Sequence, residues 1–297
     1  MHGGPELREH QAITSRVLNL LREAVPFAPL HLPAALDVVD YATTRFPRSL
    51  QVACFDTAFH RTLPEHAARF PFSEEVWKKG IRRYGFHGLS FEFIVQTLGP
   101  RLPGKTVIAH LGNGCSLCAV RDGQSIDTTM GLTPTGGVMM GTRCGDLDPG
   151  VLLHLLRAEK YSADELDNVV NHDAGLRGVS GISSDMRQLL ADSGNRTAIL
   201  AVEMFCYSIT KFIGAMAAAL NGIELLVFTA GIGEHAPVVR SRICSRLQHL
   251  GVVLDESANG RNSDIISCAD SRCAVRVIPT DEDLQIARHC FRLTDIK

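Results

Sequence analysis

Between residues 105 and 130, three short apolar runs are separated by segments too tight for anything but hairpins. Thr106–Leu111, Ser116–Arg121 and Gln124–Thr129 enclose Gly112-Asn113-Gly114 and Asp122-Gly123. Gly, Asn and Asp tolerate the positive φ angles that short hairpin turns demand, so the stretch predicts three consecutive antiparallel strands. Beyond it the pattern changes period. Gly150–Arg157, Ala163–Asn171 and the long Arg196–Leu220 read as helices, and Leu225–Thr229 as a strand. Pro237–Leu250 reads as a helix, Ala274–Ile278 as a strand, and Asp281–Arg292 as a closing helix.

A strand meander followed by helix, strand, helix, strand, helix is the order of a ribonuclease-H-like α/β unit, the half-molecule of actin-like ATPases and sugar kinases. Residues 105–297 hold one such unit nearly whole. Residues 1–104 are set off by Gly99-Pro100 and Pro103-Gly104 and hold only the back of another. There, Glu6–Glu23 places Ile13, Val17, Leu20 and Leu21 at near-helical spacing, and Ala34–Arg45 reads as a second helix. Leu50–Phe55 is a short buried strand and Ser90–Leu98 a helix. The expected architecture is a two-domain α/β fold with an incomplete N-terminal half.

Composition narrows the partners. Of 297 residues, 45% are hydrophobic and 21% charged, enough to bury a sizeable core. Thirty Lys and Arg face 32 Asp and Glu, so no basic excess is present to neutralise nucleic-acid phosphates. Nine Cys, an odd number scattered along the chain, argue against a disulfide framework or structural zinc, and for a reducing cytoplasm. The charge-free stretch Thr128–Thr142, which none exceeds, is too short to span a bilayer, and Met-His-Gly-Gly-Pro-Glu is no signal peptide.

Several segments carry chemistry-bearing residues, each with a plainer reading beside it. Gly112-Asn113-Gly114, preceded by His110 and Leu111, is a hairpin turn that could also admit a phosphate, since a Cβ would block the approach. Gly231-Ile232-Gly233-Glu234-His235 is a tight strand–helix connection, and equally a nucleotide site at a helix N-terminus. Arg143, in a Gly-punctuated polar loop, is either a solvated charge or a guanidinium reaching a phosphoryl group. Gly85-Phe86-His87-Gly88 exposes an imidazole. Asp56, just past a strand, is a helix cap or a carboxylate aimed into a cleft. Thr280-Asp281-Glu282-Asp283 is an acidic first turn, or an oxygen set for Mg²⁺.

Taken together, these segments resemble the acetate kinases. The resemblance runs from His2-Gly3-Gly4 through Ala28-Pro29-Leu30-His31, Phe55-Asp56-Thr57-Ala58-Phe59-His60 and Arg83-Tyr84-Gly85-Phe86-His87-Gly88. It continues through His110–Gly114, Asp127–Gly131, Met140–Arg143, Ser184-Asp185-Met186-Arg187, Gly231–Glu234 and Thr280-Asp281-Glu282. It implies reversible phosphoryl transfer from ATP to acetate, giving ADP and acetyl phosphate, with Mg²⁺ (or Mn²⁺) and in a homodimer. By that resemblance Arg143 and His87 stabilise the transferring group, Asp56 is an essential carboxylate, and Glu282 holds the metal. His110 to Gly114, Asp185 to Arg187 and Gly231 to His235 would bind the nucleotide. Leu30, His31, Phe86 and Pro134 would line the acid's pocket. Residues 1–104 then correspond to the acetate-binding half, with the last helix, about 281–292, able to pack back on it.

The departures lie mainly at the front. The family opens with an Asn/Gly/Ser-rich phosphate loop and carries, just before its His-Gly-Gly, an Arg that grips the acetate carboxylate. This sequence begins at that point, which would leave a sheet edge open. Ala230 stands where the family usually has Gly, and Thr135-Gly136 where it usually has Leu-Glu; both read as minor. The rival expectations are a propionate or butyrate kinase, a non-catalytic nucleotide-binding remnant, or a start site assigned too far downstream.

Overall fold

A computed structural model describes residues 1–28 and 32–294. Its centre is a five-stranded sheet with strand order β5-β4-β3-β6-β7. β3 (Lys105–Leu111), β4 (Cys115–Arg121) and β5 (Gln124–Thr128) form the antiparallel meander. β6 (Leu225–Thr229) joins β3 in parallel, and β7 (Ala274–Val277) joins β6 in parallel. This is the ribonuclease-H-like arrangement that the strand order implies.

Both faces of the sheet are covered, which explains why β3, β4 and β6 are nearly continuous apolar runs. On one face lies the helix Arg196–Leu220, which buries Val202, Phe205, Ile209 and Ile213 with Val107, Leu117 and Phe228. That helix is long and apolar enough to cross a membrane, yet here it is the central helix of a packed core. On the other face the helix Gly88–Leu98 packs Phe91, Ile94 and Leu98 against Ile108, Val120 and Val227. The closing helix Glu282–Thr294 lies beside it, with Arg288 5.3 Å over the Phe93 ring.

The N-terminal stretch departs from the sequence expectation. The helix predicted over Glu6–Glu23 is confined to Ser15–Glu23, capped by the Thr14 side chain, which accepts from the Val17 N–H. Ahead of it, β1 (Gln11–Ala12) pairs antiparallel with β2 (Val52–Ala53), the short core of the strand expected over Leu50–Phe55. The reason is local. The His10 ring accepts the Phe55 N–H at 3.0 Å, and the Ile13 N–H donates to the Gln51 carbonyl, so these residues bond across to another segment rather than along a helix. The helix expected over Pro237–Leu250 likewise ends at Cys244, where Leu247 turns fully inward, before a single turn at Gln248–Leu250.

Candidate active site

Asp56 sits just beyond β2 and settles the choice between cap and cleft by doing both. Its Oδ2 accepts the His87 N–H at 2.7 Å and its Oδ1 the Leu89 N–H at 3.3 Å, while its carbonyl accepts from Gly88. A carboxylate is well placed there, facing the free N–H groups that open the helix Gly88–Leu98. The same residue lines a cavity of about 370 Å³ together with Met1, His2, Leu32, Phe86 and Pro134. Leu30 and His31, expected in this pocket, lie outside the described residues.

His87 holds φ +56°, a left-handed conformation uncommon for a non-glycine residue, and the Asp56 bond to its N–H helps hold it there. Its Nδ1 lies 2.8 Å from Ser116 Oγ on β4, and its ring stacks on His110 at 4.0 Å between centroids. Burial, then the neighbouring Arg143 guanidinium, push the His87 imidazole down to about 3, so it is neutral. His110 is pushed well below its ordinary range too, first by burial. His110 Nδ1 sits 2.8 Å from Ser90 Oγ, which receives the Thr280 hydroxyl at 2.9 Å.

Arg143 reaches the same place from the loop before the helix Pro149–Arg157. Its Nη1 touches only the Pro134 carbonyl, at 3.4 Å, and the Met140 sulfur; among the described residues no carboxylate forms an ion pair with it. A partly buried guanidinium without an acidic partner is open to an anionic ligand, and burial lowers its basicity. Gly114 marks the meeting point. A Cβ built there would stand 3.2 Å from Arg143 Nη1 and 3.4 Å from His87 Nε2.

A second cavity, about 690 Å³, reaches Asn113, the residue before Gly114. It is lined by Gly112 and Asn113, by Asp185, Met186 and Arg187, and by Gly231, Ile232 and His235. The three segments expected to bind nucleotide thus converge, though not every residue in them faces the cavity. Leu111 is fully buried in the core and Gly233 packs behind Phe228. Glu234 turns its carboxylate to the Ala230 and Thr280 N–H groups, tying β6 to the segment after β7. The expected turn at 231–234 is itself helical over Ala230–His235, entered through Ala230 at φ +64°. Ala230 is therefore less minor than its sequence suggested.

Glu282 opens the last helix. Burial, then the charges of Asp56 and Asp283, push its carboxyl up to about 7. Carboxylate oxygen is the donor type that Mg²⁺ takes. A separate cluster, His10, Glu92 and His289, has the residue types of a zinc site, with its donor atoms within 4.8 Å of one another. Its polarity is wrong for one. His10 Nδ1 already accepts a backbone N–H, so the proton of the neutral ring sits on Nε2, facing Glu92 rather than presenting a lone pair to a metal.

Sequence reasoning missed the supporting roles of Ser116, Ser90 and Thr280 behind the two imidazoles, and of Arg240 behind the segment expected to bind nucleotide. Arg240 is fully buried and donates to the Gly233 and Glu234 carbonyls and to Asn259 and Asn262. Ser116 was signalled only as a polar residue in an apolar run, and Thr280 only as the head of an acidic turn.

Comparison with known proteins gives the family. Residues 1–288 match the acetokinase family. An acetate kinase of Rhodopseudomonas palustris (strain TIE-1) is 47% identical over 306 residues, covering 99% of this chain and 76% of that protein. One from Clostridium botulinum (strain Hall) is 43% identical, with 99% and 77% covered. Among solved structures, Porphyromonas gingivalis acetate kinase superposes with a TM-score of 0.92 at 39% identity, covering 99% of this chain and 76% of that one. A Francisella tularensis propionate kinase gives 0.93 at 38%, covering 97% and 76%. The chain therefore spans about three quarters of these relatives, and it belongs to the acetokinase family.

Proposed function

We propose that this chain transfers the γ-phosphoryl group of ATP to a carboxylate oxygen of acetate, reversibly, in the cytoplasm. The observation that carries the reading is the convergence of His87 and Arg143 at Gly114. His87 directly follows Phe86 of the acid cavity, and Gly114 directly follows Asn113 of the nucleotide cavity. An acid in one cavity and ATP in the other would bring nucleophile and γ-phosphorus together there.

The acetate oxygen attacks phosphorus as the bond to the β,γ-bridging oxygen breaks, and ADP leaves with that oxygen. Charge spreads over three equatorial oxygens, so catalysis is mostly positioning and electrostatic stabilisation. Arg143 and the His87 Nε2–H would donate to those oxygens. Asp56 acts through His87, by fixing the helix end from which the imidazole projects. Glu282 would hold Mg²⁺, which neutralises phosphate charge when bound.

The test is acetate-dependent formation of acetyl phosphate by the purified chain with ATP and Mg²⁺. Arg143→Ala should lower kcat at least about a hundredfold, the scale of one preorganised donor. Turnover that survives this change would remove Arg143 from the reaction. Nucleotide binding without turnover would favour the non-catalytic reading. A longer acid is a second reading with its own support, since the cavity of about 370 Å³ leaves room beyond a methyl group. Comparing kcat/KM for acetate, propionate and butyrate decides it, at ~1–3 kcal/mol per methylene. What supports a homodimer is the row of exposed apolar side chains Leu147, Val151, Leu153 and Leu156.

A further inference from the structure

We infer that Ser116 is a positioning residue that fixes His87 as the neutral Nε2–H tautomer, so that this imidazole works as a preformed donor rather than as a proton-carrying cation. The inference rests on the phosphoryl-transfer reading for its catalytic consequence, but the tautomer itself follows from hydrogen-bond satisfaction.

Ser116 is fully buried on β4, and among the described residues its hydroxyl has one partner, His87 Nδ1 at 2.8 Å. Two arrangements are conceivable. If Nδ1 carried the proton and donated to Ser116, the serine O–H would itself need an acceptor, and none among the described residues is within reach. A buried unpaired hydroxyl is costly, and native structures rarely tolerate one. If instead the serine O–H donates to Nδ1, the buried hydroxyl and Nδ1 satisfy each other and the ring proton must sit on Nε2. That nitrogen points to the space above Gly114 that it shares with Arg143.

The neighbouring ring repeats the device. The Thr280 hydroxyl donates to Ser90, which leaves the Ser90 proton for His110 Nδ1. The two imidazoles then stack face to face, inclined by 13°, with the same tautomer. A charged imidazolium would meet both this stack and the Arg143 guanidinium. Two serines, one behind each ring, thus specify two neutral donors.

The test reads the tautomer first and turnover second. The full chain is labelled with ¹⁵N-histidine, and the His87 signals are identified by their loss in His87→Gln. The expected spectrum shows an unprotonated Nδ1 and a protonated Nε2, unchanged between pH 6 and 8. A protonated Nδ1, or an imidazolium in that range, would overturn the inference whether or not the chain is active. In Ser116→Ala the Nε2–H tautomer should lose its dominance. There kcat should fall about ten- to a hundredfold, while KM for ATP and acetate stays within about twofold. Ser116→Thr, which keeps the hydroxyl, should restore both tautomer and kcat. An Ala variant with wild-type kcat and tautomer also defeats it. Absence of turnover in the wild type, with the expected spectrum, would count against the phosphoryl-transfer reading and leave the tautomer standing.

Discussion

At the scale of single residues, two positions turn on one methyl group. Gly114 lies where a Cβ would press on Arg143 Nη1 and His87 Nε2 at once. Gly114→Ala should leave the fold intact, because the flexible guanidinium can move aside, but that movement takes the donor out of place. A displacement of this size can cost about a hundredfold in kcat. The measurement is kcat beside the thermal midpoint, and a variant with an unshifted midpoint and full kcat would show that Arg143 has slack. Ala230 is the reverse case. It holds φ +64°, where its Cβ is strained and glycine is not. Ala230→Gly should therefore stabilise the chain by about 0.5–1 kcal/mol, after the extra freedom glycine has when unfolded. Chemical denaturation checks this, and a lower midpoint would mean that Ala230's contacts outweigh its strain.

At the scale of elements, the cavity proposed to take the nucleotide depends on a short helix that cannot hold its own shape. Ala230–His235 has less than two turns, and two of its carbonyls, Gly233 and Glu234, are taken by Arg240 Nη1 at 2.8 and 2.9 Å. Among the described residues Arg240 has no carboxylate partner; carbonyl and amide oxygens alone meet its charge, and burial lowers its guanidinium to about 10. Arg240→Leu should cost at least about 3 kcal/mol of stability and weaken ATP binding more than acetate binding. Calorimetric titration of both ligands separates these effects, and an equal loss for both would point to general unfolding. The same helix shows what was legible in the sequence. The meander, the long helix and the closing helix follow from hairpin turns and apolar periodicity, and they come out within a few residues. Asp56, His87 and Arg143 were visible because Gly or a strand end stands beside each. Their supports were not visible, because a hydrogen bond spanning 29 residues from His87 to Ser116, or 190 from Ser90 to Thr280, depends on strand register and helix docking. Local pattern also misled over residues 6–14, where helical spacing gave way to β1 once the Phe55 N–H and the Gln51 carbonyl were in reach.

At the scale of the molecule, three distant stretches are joined at one carboxylate. Glu92, on the helix that begins beside His87, accepts from His289 on the closing helix at 2.8 Å and faces His10 of the N-terminal stretch at 3.6 Å. Burial alone would raise its carboxyl, but the two histidines outweigh burial and hold it far below the ordinary value of about 4.5. A depressed carboxyl contributes stability that is fully present above its unfolded pKa and is lost as pH falls towards the folded value. Glu92→Gln removes that contribution and sets an amide N–H₂ against one of the imidazole N–H groups. The variant should lose roughly 1–3 kcal/mol at pH 7, with the gap to wild type narrowing steadily below about pH 4.5. Urea midpoints taken between pH 7 and pH 3 measure it. A gap that stays constant from about pH 4.5 down to pH 3 would mean that Glu92 stabilises by packing rather than by charge. Glu92 also lies little more than one turn from His87, so loosening this junction should reach the site. A fall in kcat of less than about tenfold, with the ¹⁵N signature of His87 unchanged, is the expected outcome: the latch sets where the helix lies, while Ser116 sets how its first imidazole is protonated.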